Sequence, residues 1–475
     1  MTTIRPAPFR PVTSLSHSPA RRLRRETIMP SILYPLAAAA ALLCAAPVCA
    51  QSADAPGQTP DQTPDQTYAV HGQATLVVQH VGGFASPYAA DNSLTPRDTE
   101  ETVDATLYLG VRPWKGAELW VNPEIDQGFG LSNTLGVAGF TSAEAYKVGK
   151  TNPYFKLQRA FLRQTIALGG KAVTLDAAAN QLRLTTTANR IVITAGKIGV
   201  GDVFDTNKYA HDPRGDFLNW SLVDTGSFDY AANAWGYTYG AAVEWYQGEW
   251  TLRGGLFTLS KQPNSEELGH DLRQNQIAVE VEHRHTILGQ PGAVRLTGFR
   301  NRGMFARYDD AVALARTTGG DVDLAPVRAQ RNRYGVALNV EQDVTATLGL
   351  FLRAGTTDDA IETYDFTDID RTVAVGAALK GKGWGRPQDT LAIATVRNGI
   401  SQSFQRYLAA GGLGVLVGDG ALPHPGDEQI IEAYYAFRPV GWASMTVDYQ
   451  HIANPGYNRD RGPANVVGLR LHAGF

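Results

Sequence analysis

Residues 465–475 read NVVGLRLHAGF, and the alternation within them decides the fold class. Val467, Leu469, Leu471, Ala473 and Phe475 fall on one side; Gly468, Arg470, His472 and Gly474 fall on the other. A period of two sends the two sets to opposite faces of an extended strand. The pattern recurs upstream. Ile431, Ala433, Tyr435 and Phe437 oppose Glu432, Tyr434 and Arg438, and Met445, Val447 and Tyr449 oppose Ser444, Thr446, Asp448 and Gln450. Ile277, Val279 and Val281 oppose Glu280 and Glu282, and Tyr334, Val336, Leu338 and Val340 oppose Gly335, Ala337, Asn339 and Glu341.

Alternation of this kind fits a soluble sandwich, with the apolar face inside, or a barrel in lipid, with the apolar face outside. The connections choose between them. From Tyr68 onward the alternating segments are separated in turn by long polar gaps and short turns. The long gaps are 81–100, 128–153, 199–233, 261–274, 302–330, 357–369, 399–428 and 452–464, and the short turns include 112–116, 247–248, 342–347 and 439–441. A membrane barrel alternates long outer loops with short periplasmic turns, whereas a Greek-key sandwich has no reason to. The pattern predicts an all-β, transmembrane antiparallel up-and-down barrel of about 16 strands, with both barrel termini periplasmic. The stretch 169–190 leaves room for one more short hairpin, so sixteen and eighteen strands both stay open. Trp114, Trp120, Trp245, Trp250, Trp384 and Trp442 lie near strand ends, where interfacial aromatic girdles form.

Composition agrees. The 475 residues include 49 Gly and 9% aromatics, and the mean hydropathy is −0.21. A barrel that alternates lipid-facing and lumen-facing residues averages out to polar in this way. Near the N-terminus, Arg21, Arg22, Arg24 and Arg25 precede an apolar run over 32–48 and small residues up to Ala50. Residues 1–50 therefore read as a signal peptide, with Met1 rather than Met29 as the start because only Met1 retains the basic region. Residues 51–67, built on a repeated Gln-Thr-Pro-Asp, read as a flexible polar lead segment, and 68–475 as the barrel. Both cysteines, Cys44 and Cys49, fall within the signal. The mature chain then has no thiol for a disulfide, a nucleophile or a thiolate metal site. It keeps 37 basic against 45 acidic side chains, a net charge of −8 that argues against a nucleic-acid partner.

A barrel of about sixteen strands is too wide for wall side chains alone to fill. It conducts water or is narrowed by infolded chain, and the gaps 128–153 and 199–233 are the candidate constrictors. The first carries Phe129, Phe140 and Tyr146; the second carries Tyr209, His211, Asp212, Arg214 and Trp220. Parity points Glu118, Trp120, Asn122, Arg159, Phe161, Arg163, Glu280, Glu282, Arg295, Arg353, Asp448 and Arg470 into the lumen. An anion pore would show basic rings without this acidic complement. Mixed charges hydrogen-bond hydroxyls strongly and aromatic faces stack on sugar rings, which suits polyols; a hydrated wall is polar in any case. No nucleophile elbow, zinc motif or phosphate-binding glycine loop is present, so no catalytic, cofactor or metal residue is assigned.

Several stretches resemble the carbohydrate-selective porins of the OprB type. They are 68–73 (YAVHGQ), 118–127 (ELWVNPEIDQ) leading to Gly139-Phe140, and Asn152-Pro153 with 159–165 (RAFLRQT). Residues 204–220 (FDTNKYAHDPRGDFLNW) and 449–463 (YQHIANPGYNRDRGP) continue the likeness. The resemblance implies sixteen strands, a place in the Gram-negative outer membrane, and passive diffusion of monosaccharides such as glucose without a cofactor. It also implies an eyelet of arginines and acidic residues, carried over here to Arg159, Arg163 and Glu124. The other readings are a general or other small-solute porin and an outer-membrane barrel enzyme. The expected partners are small sugars and outer-membrane lipid, with monomer and homotrimer both open. Mass spectrometry of the exported protein is expected to find Gln51 at the N-terminus; any other start would redraw the signal boundary.

Overall fold

The computed structural model describes residues 64–475 apart from Tyr146 and Phe366. The proposed signal and most of the polar lead lie outside the described residues. Sixteen strands form one closed antiparallel sheet in which each strand pairs with its sequence neighbours and β1 closes on β16. The first eight are β1 (Tyr68–Val81), β2 (Asp98–Val111), β3 (Ala117–Gly128), β4 (Lys150–Leu175), β5 (Leu184–Ile198), β6 (Thr238–Gln247), β7 (Trp250–Thr258) and β8 (Asn275–Ile287). The rest are β9 (Gln290–Phe305), β10 (Ala329–Asp343), β11 (Leu348–Thr357), β12 (Arg371–Gly381), β13 (Arg386–Gly399), β14 (Glu428–Val440), β15 (Ala443–Ala453) and β16 (Ala464–Gly474). The stretch near 169–190 is a long β4–β5 hairpin, not an extra strand pair, so the count is sixteen.

Closure is set by register. Val81 faces Val466 and Gln73 faces Gly474 across the β1–β16 seam, which leaves no free sheet edge in the wall. Long connections gather at one end of the barrel. At the other end lie the short turns, the start of β1 and Phe475. Among the described residues the long connections carry helices at Trp220–Val223, Tyr308–Thr318 and Gln402–Ala409, and no helix is long and apolar enough to cross a membrane.

The burial pattern is that of a globule turned inside out. On β15 the apolar Val447 is 57% exposed, while its neighbours Thr446 and Asp448 are each 1% exposed. The same holds on β16, where Val467, Leu469 and Leu471 face out and Arg470 is buried. In water such a surface would drive association; in hydrocarbon it is the favourable one. Trp114, Trp245, Trp250, Trp384 and Trp442 are exposed, as an aromatic girdle requires. Trp120 is not among them. It lies wholly inside, stacked on His71 at 6.5 Å, because parity outweighs its place near a strand end. Its ring covers Gly110, where a Cβ would come within 2.5 Å of it.

Segments from the long-loop end fill much of the lumen. Inward aromatics of the wall grip them: Phe217 packs on Phe351 (5.7 Å) and Tyr434 (5.0 Å), and Phe228 packs on Phe299 (5.0 Å). Val447 sits midway along β15, so Val447→Arg is expected to destabilise the barrel by about 2–4 kcal/mol in denaturant titrations in bilayers. A neutral result would mean that this face is not in hydrocarbon.

Candidate functional site in the barrel lumen

The segment 199–237 between β5 and β6 runs inside the barrel, and its backbone polar groups need partners there. The wall supplies them. Arg353 on β11 donates to the carbonyls of Ala210 and Leu222 (both 2.6 Å) and of Asp205 (3.0 Å). Glu280 on β8 accepts the Asp205 N–H (2.9 Å), and Glu432 on β14 accepts those of Leu218 (2.5 Å) and Asn219 (2.9 Å). Arg470 on β16 donates to the Asp216 carbonyl (2.8 Å). The segment between β3 and β4 is held in the same way: Glu428 accepts from Ala138 (3.1 Å) and Gly139 (2.8 Å).

Between these two segments and the β2–β4 wall lies a cavity of about 350 Å³. Two arginines define its charge. Arg159 on β4 forks onto Asp202 at 2.7 and 2.6 Å, and its guanidinium lies 5.0 Å from the centre of the Tyr237 ring. Arg214 reaches Asp104 (2.8 Å), Glu144 (3.2 Å) and Glu124 (3.4 Å), and donates to the Tyr108 hydroxyl (3.3 Å). Carboxylates fix the planar guanidinium groups in place, so each arginine presents donors in a set direction. Phe140 and Trp220 stack at 5.3 Å with their planes 8° apart, and Tyr230 lies 5.6 Å from Trp220; all three line the cavity. His211, on the infolded segment and 3.7 Å from Asp224, also lines it. Burial lowers its pKa, but the Asp224 carboxylate more than offsets this, so the imidazole is held above the ordinary histidine value.

The residues predicted from parity and, for Glu124, from the family resemblance divide by what they touch. Arg159 lines the cavity, and Glu124 stands behind it, bound to Arg214 and to Gln158 (2.9 Å). Asn122, Trp120 and Glu118 lie opposite Arg159, Phe161 and Arg163 in the β3–β4 register, stepping down toward the short-turn end. Glu118 accepts from Trp120 Nε1 at 2.9 Å and lies 3.7 Å from Arg163. Glu280, Glu282 and Arg295 form a separate wall network through Arg253, at 2.7 Å from Glu280 and 3.0 Å from Glu282, with Arg295 2.9 Å from Glu282. Arg353 and Arg470 are spent on loop carbonyls, and Asp448 accepts from Gln450 at 3.2 Å. Asp104, Tyr108, Glu144, Asp202 and Tyr237 were not singled out from the sequence. Parity along β2 could have found the first two, since Thr102, Asp104, Thr106 and Tyr108 alternate inward. The others sit on irregular chain, where no period exists to read.

A closed barrel with an apolar outer wall and a polar, chain-narrowed lumen defines an outer-membrane channel. Residues 91–475 match the model of the carbohydrate-selective porin, OprB family. The protein belongs to that family, whose members are channels of the Gram-negative outer membrane. Its structure is similar to the high-pH structure of Pseudomonas putida OprB, with a TM-score of 0.66 and 18% identity, over 86% of this chain and 94% of that one. The low-pH structure of the same protein gives a TM-score of 0.45 at 14% identity, over 86% and 93% of the two chains. The outer membrane channel DcaP of Acinetobacter baumannii gives 0.46 at 11%, over 86% and 97%. No curated protein sequence matches the chain.

Removing the Arg353 guanidinium strands the carbonyls of Ala210 and Leu222 and takes away the cation 3.5 Å from the Asp205 carboxylate. Arg353→Met is expected to cost about 3–5 kcal/mol in the anchoring of 205–222. Limited proteolysis in liposomes should then cut within that segment while the barrel stays heat-modifiable. Unchanged protection would show that apolar contacts alone hold it.

Proposed function

We propose that this porin admits monosaccharides such as glucose by passive diffusion through the cavity between Arg159 and Arg214. The observation that carries the reading is the pairing of two carboxylate-held guanidinium groups with aromatic faces in one space of about 350 Å³. That volume lies near the lower end of the roughly 300–1,000 Å³ of small-molecule sites, enough for one small polar solute. Guanidinium N–H groups donate to ring hydroxyls, and the carboxylates of Asp202, Asp104 and Glu144 accept from them. Trp220, Tyr230 and Tyr237 offer faces for the apolar side of a pyranose. The carboxylates outnumber the arginines, so a solute carrying negative charge is disfavoured relative to a neutral one. No step needs a cofactor or an energy source.

The same reading extends to export and orientation. Residues 1–50 are removed at the inner membrane, the short turns and both barrel termini face the periplasm, and the long connections face outward. Sugars then pass the infolded segments before leaving through the short-turn end.

Liposome swelling with the mature protein tests the pathway. Glucose is expected to enter faster than disaccharides and faster than anionic solutes of similar size. Arg159→Ala with Arg214→Ala should lower the glucose preference roughly tenfold, the effect of losing two charge-assisted contacts in part. Equal rates for all small neutral and charged solutes would leave a general porin instead.

A further inference from the structure

The β4–β5 hairpin departs from the pattern of the other short-turn connections. β4 is 26 residues long, but its pairing with β3 ends at Ala117–Gln164. β5 joins β6 only from Arg190 onward, so roughly the stretch 165–189 is a two-stranded ribbon outside the barrel wall. Register shifts around Ala167, Gly169 and Ala172 bend it, and Gly169 and Gly170 take φ of 105° and 89°, which glycine alone adopts freely. Beyond the last pair, Leu175–Leu184, the chain reverses through an Ala178–Gln181 bridge and returns into the lumen.

Three contacts place the tip inside. The Asn180 carbonyl accepts from Arg163 Nη1 at 2.6 Å. The Leu182 N–H donates to Glu118 Oε2 at 3.0 Å. Leu182 itself is 0% exposed and belongs to the apolar cluster that includes Tyr108, Trp120 and Phe161. Ala179 and Asn180 line the same cavity as Arg159 and Arg214. The chain just before β1 holds the tip from behind. Gln66 N–H donates to the Arg183 carbonyl (3.0 Å), Arg183 N–H donates back to Gln66 Oε1 (2.8 Å), and Thr185 N–H donates to Asp65 Oδ1 (2.6 Å). Arg112 ties both strands of this clamp, reaching the carbonyls of Gln66 (2.8 Å) and Arg183 (3.1 Å).

We propose that the hairpin tip, residues 176–183, is a third wall of the constriction, inserted from the short-turn end and fixed there by Asp65, Gln66 and Arg112. It sets the size limit of the pore from the side opposite the long loops. Its contribution is steric and uncharged: Ala179 and Asn180 add small neutral groups to a lining that elsewhere carries charges and aromatic faces. Arg163 is then a positioning residue that holds the tip, and the guanidinium groups facing a solute are those of Arg159 and Arg214. The proposal rests on the cavity being the solute path.

Because Leu175 and Leu184 face each other directly, replacing 176–183 by Asn-Gly closes the hairpin with a two-residue turn. In planar bilayers this variant is expected to raise single-channel conductance roughly twofold or more, and in swelling assays to admit maltose. Asn180→Trp, which leaves the backbone contacts intact, should instead cut glucose entry several-fold. If the shortened hairpin does not yield heat-modifiable barrel, the Asn180→Trp result decides. Unchanged conductance and size limit in the folded variants would overturn the proposal; if the Arg159→Ala, Arg214→Ala double variant still altered glucose entry, the pathway itself would stand. No change in any of the three would overturn pathway and proposal together.

Discussion

A polypeptide inside a membrane barrel must hydrogen-bond its own backbone, and the rest of the lumen is arranged around that constraint. The segment 199–237 cannot form a ladder with the wall, whose strands are already paired on both sides. Its N–H and C=O groups would otherwise be buried without partners, at a cost of about 1–3 kcal/mol each. Wall carboxylates answer the N–H groups and wall arginines answer the carbonyls. Arg353, Glu280, Glu432 and Arg470, from four different strands, act together as brackets. Apolar packing adds to this, through Phe217 between Phe351 and Tyr434.

This division of labour explains why the lumen is so rich in charge while its free space is small. Most charged wall residues neutralise one another or hold chain. Arg333 lies between Asp229 and Asp370 with no exposure, and the two carboxylates also accept backbone N–H groups, Asp229 from Tyr364 (2.9 Å) and Asp370 from Ser401 (2.8 Å), which offsets part of the cost of burying the charges. Arg159 and Arg214 are the arginines that line the open cavity. Their carboxylate partners hold each guanidinium in one orientation, so on the proposed path a polyol would meet fixed donors and acceptors without having to organise them. A channel needs contacts of this kind to be individually modest, since a solute that bound tightly would not leave.

Much of the barrel was legible in the sequence because a strand has a period and a membrane has two sides. The gaps 81–100 and 199–233 anticipated the connections 82–97 and 199–237 closely. Parity placed Glu118, Asn122, Glu280, Arg353, Asp448 and Arg470 inside, where they are buried. What parity could not say is which inward residues face open space and which face infolded chain. Arg353 and Arg159 carry the same signal in the sequence, yet one is sealed under Ala210 and Leu222 and the other lines the cavity. Trp120 shows the same limit from another direction, since its place near a strand end suggests a girdle and its parity points inward.

The sequence by itself determined the closed sheet, its up-and-down order and its lipid-facing surface, and it marked two long segments as candidates to enter the lumen. Alternation and loop length are local properties, and closure follows from them because an unpaired edge has no partner in hydrocarbon. Only the tertiary structure decided where solute space remains. Asp202, Tyr237 and Glu144 reach Arg159 and Arg214 from irregular chain, and Asn180 arrives from a hairpin that leaves the wall and bends back. Those meetings join residues far apart in the chain through contacts that have no period, and so leave no pattern to read before the chain is folded.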